Sequence, residues 1–160
     1  MARREVAPSS PCPCCSGATY GACCRRYHAG AEPETATRLM RSRYAAFALG
    51  DAPYIVRTLD DGHPDRAMDQ GALLAAVRDT CSRCKFPGLR VLDEDGAGDT
   101  ARVLFHARVF EKGKDRSFVE LSDFRRRDGA WRYVGGEMRD TPGARVPETL
   151  TIAGFVGTPA

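Results

Sequence analysis

The most regular pattern in the chain is an apolar stripe with helical spacing that begins shortly after residue 33. Four residues widen or form this face: Leu39, Met40, Tyr44 and Phe47. Met40, Tyr44 and Phe47 recur at intervals of four and three residues, which places them on one side of a helix, and Leu39 widens that face. Thr35 or Thr37 can cap its start, and Gly50 is suited to end it.

Two shorter helical patterns follow. Pro53 suits the first turn of a second helix, which would bury Tyr54, Ile55 and Leu59. Asp69 can cap a third helix, whose inward residues would be Leu73, Leu74 and Val77. Between these two helices lies an Asp-Asp-Gly-His-Pro loop, and we interpret its His63 as a solvated histidine.

The second half of the chain alternates apolar and polar residues with the period of two that is typical of strands. The predicted strands are 89–93, 101–111, 117–126 and 131–134. Asp128-Gly129 is a strong signal for the last hairpin turn. Three helices followed by four antiparallel strands predict an α+β fold in which the helices cover one face of a curved sheet.

One predicted strand mixes polar residues with large apolar ones. Glu120 and Ser122 alternate with Phe118 and Phe124, and His106 lies on the neighbouring strand. Inside an apolar pocket, burial would move the pKa values of a carboxyl and an imidazole towards neutrality, so Glu120 and His106 are candidate acid–base residues. The simpler interpretation is an outer sheet face that carries these polar side chains over an apolar inner face.

Composition narrows the class of protein without naming a partner. The hydrophobic fraction of 42% and charged fraction of 28% are those of a globular chain, and the net charge of +3 is too small to indicate nucleic acid. No apolar run approaches the length of a membrane span, and the first residues lack the apolar stretch of a signal peptide. We therefore expect a cytoplasmic protein, whose seven cysteines are an odd number in a reducing compartment and favour metal binding over disulfides.

Five of the seven cysteines fall within residues 12–24. Four of them form two pairs: Cys12, Cys14, Cys23 and Cys24. Four thiolates could hold one tetrahedral zinc, and iron fits such a site as well. Cys15 is a fifth candidate that we leave as a spare, and His28 could replace one cysteine. Four protein ligands leave no open position on the metal, so the site would be structural rather than catalytic.

Residues 12–24 resemble the SEC-C motif, the zinc knuckle at the C-terminus of the SecA preprotein translocase. The matching pattern is C-P-C-x-S-G-x-x-Y-x-x-C-C, and Cys15 stands where the motif usually has glycine. The stretch Tyr27-His28-Ala29-Gly30 and the stretch LMRSRYAAF at residues 39–47 are similar to the signature of the YchJ-like family. The resemblance implies a zinc knuckle followed by a cone-shaped, nuclear transport factor 2-like (NTF2-like, cystatin-like) domain.

This interpretation predicts that the chain has four parts. We expect a disordered start at 1–10, a knuckle at 11–30, an NTF2-like domain at 33–140 and a tail at 141–160. In the translocase the knuckle contacts a chaperone and the ribosome, so the resemblance implies a protein or ribosome partner. Basic residues near the knuckle would suit an acidic or phosphate-rich surface: Arg25, Arg26, Arg41 and Arg43. Arg41 and Arg43 have two other interpretations, either solvated charges or groups that tie their helix to the knuckle or line a cleft.

Two alternatives remain beside a zinc-binding accessory protein without enzyme activity. The cone could bind a small molecule or catalyse a hydrolase-type or isomerase-type reaction, and by analogy of fold the protein could form homodimers. Cys81 and Cys84 have the C-x-x-C spacing of redox and zinc sites, but they follow a predicted helix instead of opening one. We interpret them as buried or incidental thiols, with redox or metal sensing through Cys15, Cys81 and Cys84 as a third hypothesis.

Overall fold

Side-chain caps start the three helices that the apolar patterns predict. The computed structural model describes residues 2–159, and Thr35, Asp51 and Asp69 accept hydrogen bonds there from the first turns of these helices. The helices are α1 Arg25–His28, α2 Ala36–Leu49, α3 Ala52–Arg57, α4 Gln70–Arg83 and α5 Ile152–Gly157, with a 3₁₀ turn at Pro64–Ala67. Gly50 ends α2 with a φ of 76°, as its position in the sequence predicts.

The strands form one antiparallel sheet. They are β1 Cys84–Ala97, β2 Thr100–Glu111, β3 Lys114–Asp115, β4 Phe118–Arg127 and β5 Ala130–Asp140. The order is β1-β2-β4-β5, and the short β3 pairs with β2. The predicted α+β fold with helices packed on a curved antiparallel sheet is therefore confirmed.

The first and last long strands extend well beyond their predicted bounds. β1 begins before Pro87 because it lies at the edge of the sheet, where a register shift between Lys85 and Gly88 accommodates a residue without an N–H group. β5 continues through Gly135 and Gly136, which pair with β4 instead of ending the strand.

The two faces of the sheet are covered by different parts of the chain. On one face, Leu39, Met40 and Tyr44 of α2 pack against strand residues that include Val103 and Phe105. On the other face, Leu104, Val119 and Leu121 are covered by the C-terminal segment: Val146, Ile152 and Phe155. The segment after residue 140 is therefore packed onto the sheet by its apolar side chains.

Residues 2–10, for which we expected disorder, lie against α2 and the knuckle. The backbone N–H of Arg4 donates to the carbonyl of Leu49 at 2.7 Å, and Arg3 forms an ion pair with Asp51 at 3.3 Å. Val6 packs on the cysteine cluster, which gives this short segment an apolar anchor. Residues 1 and 160 of the predicted terminal segments lie outside the described residues, and the division into four parts stays a prediction.

None of the described helices combines the length and the apolar character that crossing a membrane requires.

Candidate metal centre and cone cavity

The predicted two pairs of cysteines come together at one point. The sulfur atoms of Cys12, Cys14, Cys23 and Cys24 all lie within 4.8 Å of one another. The Sγ atoms of Cys14 and Cys23 are 3.6 Å apart, and those of Cys23 and Cys24 are 3.8 Å apart. A tetrahedral zinc with Zn–S bonds of about 2.3 Å needs sulfur–sulfur distances of about 3.8 Å. The arrangement could therefore hold a metal ion.

Backbone hydrogen bonds between the pairs bring the four sulfurs together. The N–H of Cys12 donates to the carbonyl of Ala18 at 2.9 Å, and the N–H of Cys15 donates to the carbonyl of Cys12 at 3.0 Å. The carbonyl of Tyr20 accepts from Cys23 at 3.1 Å, which turns the chain so that the second pair faces the first. This short loop has almost no apolar core of its own, so its order rests on these turns and on the cluster.

The thiols of the cluster cannot all ionise without a compensating charge. Interactions with the neighbouring Cys12 and Cys24 thiols lower the pKa of Cys14, so its thiolate forms readily. The interaction with Cys14 raises the pKa of Cys12 to about 12, and interactions with Cys12 and Cys14 raise the pKa of Cys24. A divalent cation would favour release of the remaining protons, and it would supply structural cross-linking at this position.

The knuckle, which we define as residues 11–30, is fastened to α2. Cys12, Cys14 and Cys24 are buried in a cluster with Ala45 and Leu49 of that helix. Because α2 is covered by the knuckle on this side and by the sheet on another, its sequence is apolar or small on more than one face.

His28 connects the knuckle to α2 and is not available as a metal ligand. Its Nε2 lies 2.8 Å from the carbonyl oxygen of Ser42, which can only accept, so Nε2 carries the proton. Its Nδ1 therefore accepts from the hydroxyl of Tyr20 at 2.8 Å. Burial lowers the pKa of His28, which favours this neutral form. These hydrogen bonds favour the four cysteines over His28 as the predicted ligands.

Cys15 is separate from the four sulfurs and is exposed. Its φ is 62°, in the left-handed region that favours glycine. The left-handed backbone conformation explains why the motif usually has glycine at this position. Cys15 adopts that conformation although it carries a side chain.

Cys81 and Cys84 do not form a reactive pair at the start of a helix. Cys81 is buried in the last turn of α4, and Cys84 is the first residue of β1. Burial raises the pKa of Cys81 to about 11 and also raises the pKa of Cys84. Both effects disfavour the thiolate, in agreement with the interpretation of buried or incidental thiols, of which Cys81 is buried and Cys84 half-buried.

The four arginines expected near a docking surface have different surroundings. Arg41 donates to the carbonyl of Cys14 at 3.0 Å and so ties α2 to the knuckle. Arg26 pairs with Glu34 at 3.3 Å, and Arg43 is buried beneath α3. Only Arg25 of this set is exposed without an ion pair in the part of the chain described. The basic surface is therefore much smaller than the sequence suggested.

The structure does not bring Glu120 and His106 together. In the β2–β4 ladder Glu120 pairs with Phe105, whereas His106 pairs with Val119, so the two side chains lie on opposite faces of the sheet. The expectation that neighbouring strands would join them is wrong because residues 105 and 106 point in opposite directions.

His106 faces an outer cleft of about 1020 Å³ between the sheet and the C-terminal segment. Its Nδ1 lies 3.1 Å from Nη2 of Arg90. Burial lowers the pKa of His106, and the positive charges of Arg90 and Arg108 lower it further. The histidine is therefore a neutral, structural partner of Arg90.

Glu120 faces a different space, the interior of the cone. This cone cavity has a volume of about 630 Å³ and lies between α2, α4 and the concave face of the sheet. Further polar residues also line it, among them Arg43, His63, Asp65, Ser122 and Tyr133. His63, which we interpreted as solvated, packs its ring 5.7 Å from that of Tyr133. No pattern in the sequence distinguished Tyr133 from other strand residues, whereas Arg43 was visible as a charge beside an apolar helix face.

Comparisons with known proteins agree with this architecture. The family model for the middle, NTF2-like domain of YchJ matches residues 35–136. A UPF0225 protein of Corynebacterium efficiens is 40% identical over 134 residues, which cover 81% of this chain and 94% of the relative.

Solved structures show the same similarity. The solution structure of a SEC-C motif containing protein from Rhodopseudomonas palustris has 37% identity and a TM-score of 0.69, covering 81% of this chain and 98% of that one. An NTF2-like protein of unknown function from Pseudomonas putida shares the fold at 18% identity, with a TM-score of 0.51, covering 66% of this chain and 83% of that one.

Proposed function

Because the chain belongs to the YchJ family of UPF0225 proteins with a SEC-C motif, we propose that it is a zinc-binding accessory protein whose knuckle docks on a protein or ribosome. The observation that carries the proposal is the convergence of four cysteine sulfurs within 4.8 Å. A metal at this point would fix the loop of residues 11–30 as one rigid surface. Iron is the other metal that such a donor set accepts.

The outer side of the knuckle supports docking better than catalysis. Four cysteines would occupy every position of a tetrahedral metal, so no position is left for a substrate. The loop presents mostly small exposed residues, among them Ser16, Gly17 and Thr19, with Arg25 as the free positive charge. Small residues allow close approach of a partner backbone, and Arg25 favours an acidic or phosphate-bearing one.

The partner is testable with purified ribosomes. We expect the protein to co-sediment with ribosomes through a sucrose cushion, and the bound fraction to fall as salt rises. Cys24→Ser and Arg25→Glu should each reduce the bound fraction strongly. Arg78→Glu is the matched control, because Arg78 is exposed on α4, outside the knuckle, and its charge reversal should leave the bound fraction unchanged.

A second arm covers a protein partner. If ribosomes do not bind, a photo-cross-linker at Thr19 should capture one defined protein in a metal-dependent manner, and the purified partner should bind wild type but not Cys24→Ser. Absence of metal-dependent binding in both arms would contradict the docking function.

The alternative hypothesis of an enzyme with Glu120 and His106 as its acid–base pair is not supported, since the two side chains face different spaces. The alternative hypothesis of small-molecule binding remains compatible with the cone cavity.

A further inference from the structure

The cone cavity is an open apolar pocket with a small polar end. Five phenylalanines line it: Phe47, Phe86, Phe105, Phe118 and Phe124. Two methionines stand at its rim, and Met68 and Met138 are 45% and 53% exposed. Exposed methionines beside an aromatic pocket adapt readily to the shape of a bound molecule. A volume of about 630 Å³ is in the range of pockets that enclose small ligands.

Arg43 places a buried positive charge at the polar end. Its Nη1 donates to the carbonyl of Ile55 at 2.8 Å and to the hydroxyl of Thr58 at 2.6 Å. Neither partner is charged, and the guanidinium lies 4.7 Å from the centre of the Tyr133 ring. Burial lowers the pKa of Arg43 to about 10, so the group stays protonated at neutral pH. Both hydrogen bonds use Nη1, and within residues 2–159 no acceptor takes a hydrogen bond from Nη2 or Nε.

Glu120 supplies the opposite chemistry, a hydrogen-bond acceptor, at the hydroxyl of Tyr133. Its Oε1 accepts from the hydroxyls of Ser122 and Tyr133, each at 2.6 Å. The carboxylate fits because residue 136 is glycine, where a Cβ would stand 2.6 Å from Oε1. Both hydrogen bonds go to Oε1, and in the described part of the chain Oε2 has no donor. Arg43 and Glu120 thus both contact Tyr133, so an N–H donor and a carboxylate acceptor lie at the same end of the cavity.

This pairing selects against charged ligands. An anionic group that approached Arg43 would meet the carboxylate of Glu120 in an environment of low polarity, where repulsion between charges is strong. A cationic group at Glu120 would meet Arg43 in the same way, since the other carboxylate of the lining, Asp65, is half-exposed and its charge is weakened by water. A neutral molecule can satisfy both residues at once if it carries an acceptor and a donor next to each other, as a primary amide or a lactam does.

We propose that the cone cavity binds an uncharged, largely apolar molecule whose amide-like group accepts a hydrogen bond from Arg43 and donates one to Glu120. The phenylalanines enclose its apolar body, and the methionine rim closes over it. This binding site is separate from the knuckle and does not rest on the knuckle's proposed role.

Three small probes of similar shape test the proposal: 2-naphthamide, 2-naphthoate and naphthalene. Binding is followed by amide chemical shifts in NMR titrations of the full-length, metal-loaded protein. We expect 2-naphthamide to bind about tenfold more tightly than either other probe, because only it pairs both polar residues. The shifts should centre on residues that line the cavity, such as Phe105 and Tyr133.

Two variants separate the contributions of the polar residues. Glu120→Gln keeps the size of the side chain and removes its charge, so the preference for the amide over the carboxylate should shrink by about tenfold. Arg43→Met should weaken binding of 2-naphthamide and leave naphthalene unchanged, while Arg78→Met on α4 should change neither. If Arg43→Met does not fold, the isosteric Glu120→Gln carries the test alone. Equal or tighter binding of 2-naphthoate, or shifts outside the cavity, would overturn the proposal.

Discussion

Replacing Gly136 by alanine should destabilise the protein through one defined steric conflict. A Cβ at this position would stand 2.6 Å from Oε1 of Glu120 and 2.9 Å from the carbonyl oxygen of Leu121. The backbone oxygen belongs to the neighbouring strand β4 and has little freedom to move. The carboxylate would have to shift away from the hydroxyls of Ser122 and Tyr133, which both donate to it.

The expected cost follows from these contacts. The new Cβ would press on the buried Glu120, and overpacking costs about 1–3 kcal/mol. Loss or weakening of the two hydrogen bonds adds about 1 kcal/mol for each. We therefore expect the free energy of unfolding to fall by about 3–5 kcal/mol, measured by urea denaturation of the metal-loaded protein with circular dichroism.

A control and a double variant make this prediction specific. At Gly157 a Cβ would meet nothing within 4 Å, so Gly157→Ala should change the free energy of unfolding by less than about 0.5 kcal/mol. In a Glu120→Ala background, Gly136→Ala should cost less than it does alone, because part of the conflict has been removed. A Gly136→Ala protein as stable as wild type would refute the reasoning.

Two further predictions concern Cys15 and His106. Cys15→Gly should raise the stability of the metal-loaded knuckle by about 0.5–1 kcal/mol in urea denaturation, since the φ of 62° at this residue favours glycine. Cys15→Ala should give no gain. If Cys15→Ala stabilised the protein as much as Cys15→Gly does, the explanation by backbone conformation would be contradicted. The pKa of His106 is lowered by burial and by Arg90 and Arg108, so as pH falls below about 6.5 the unfolded chain takes up a proton that the folded chain resists, and stability is lost. His106→Gln should therefore lose less stability between pH 7 and pH 5 than wild type does, and the two curves of unfolding free energy against pH should be parallel above pH 7.5. Curves that coincide over the whole pH range would exclude this contribution of His106.

The elements that sequence predicted well are those with a local physical signal. The cap at Thr35, the stop at Gly50 and the apolar stripe of α2 each depend on a few neighbouring residues, and all three are observed. The grouping of the four cysteines could also be predicted, because two pairs of cysteines on a short turn-rich loop are readily explained by a shared site.

Features that depend on distant residues were less accessible. The start of β1 before Pro87 depends on its place at the sheet edge, which only the pairing with β2 reveals. The separation of Glu120 from His106 depends on a register between two strands, and a shift of one residue would have reversed it. The burial of Arg43 depends on carbonyl and hydroxyl groups supplied by α3 and its C-terminal cap, which no pattern within α2 indicates.

The central claim is that Cys12, Cys14, Cys23 and Cys24 hold one metal ion that orders the knuckle. Elemental analysis of the purified protein, carried out beside NMR spectra of residues 11–30, tests it directly. We predict one zinc per chain in wild type and in Cys15→Ser, and loss of both the metal and the order of residues 11–30 in Cys24→Ser. Metal retained at full stoichiometry in Cys24→Ser, or lost in Cys15→Ser, would contradict the four-cysteine site.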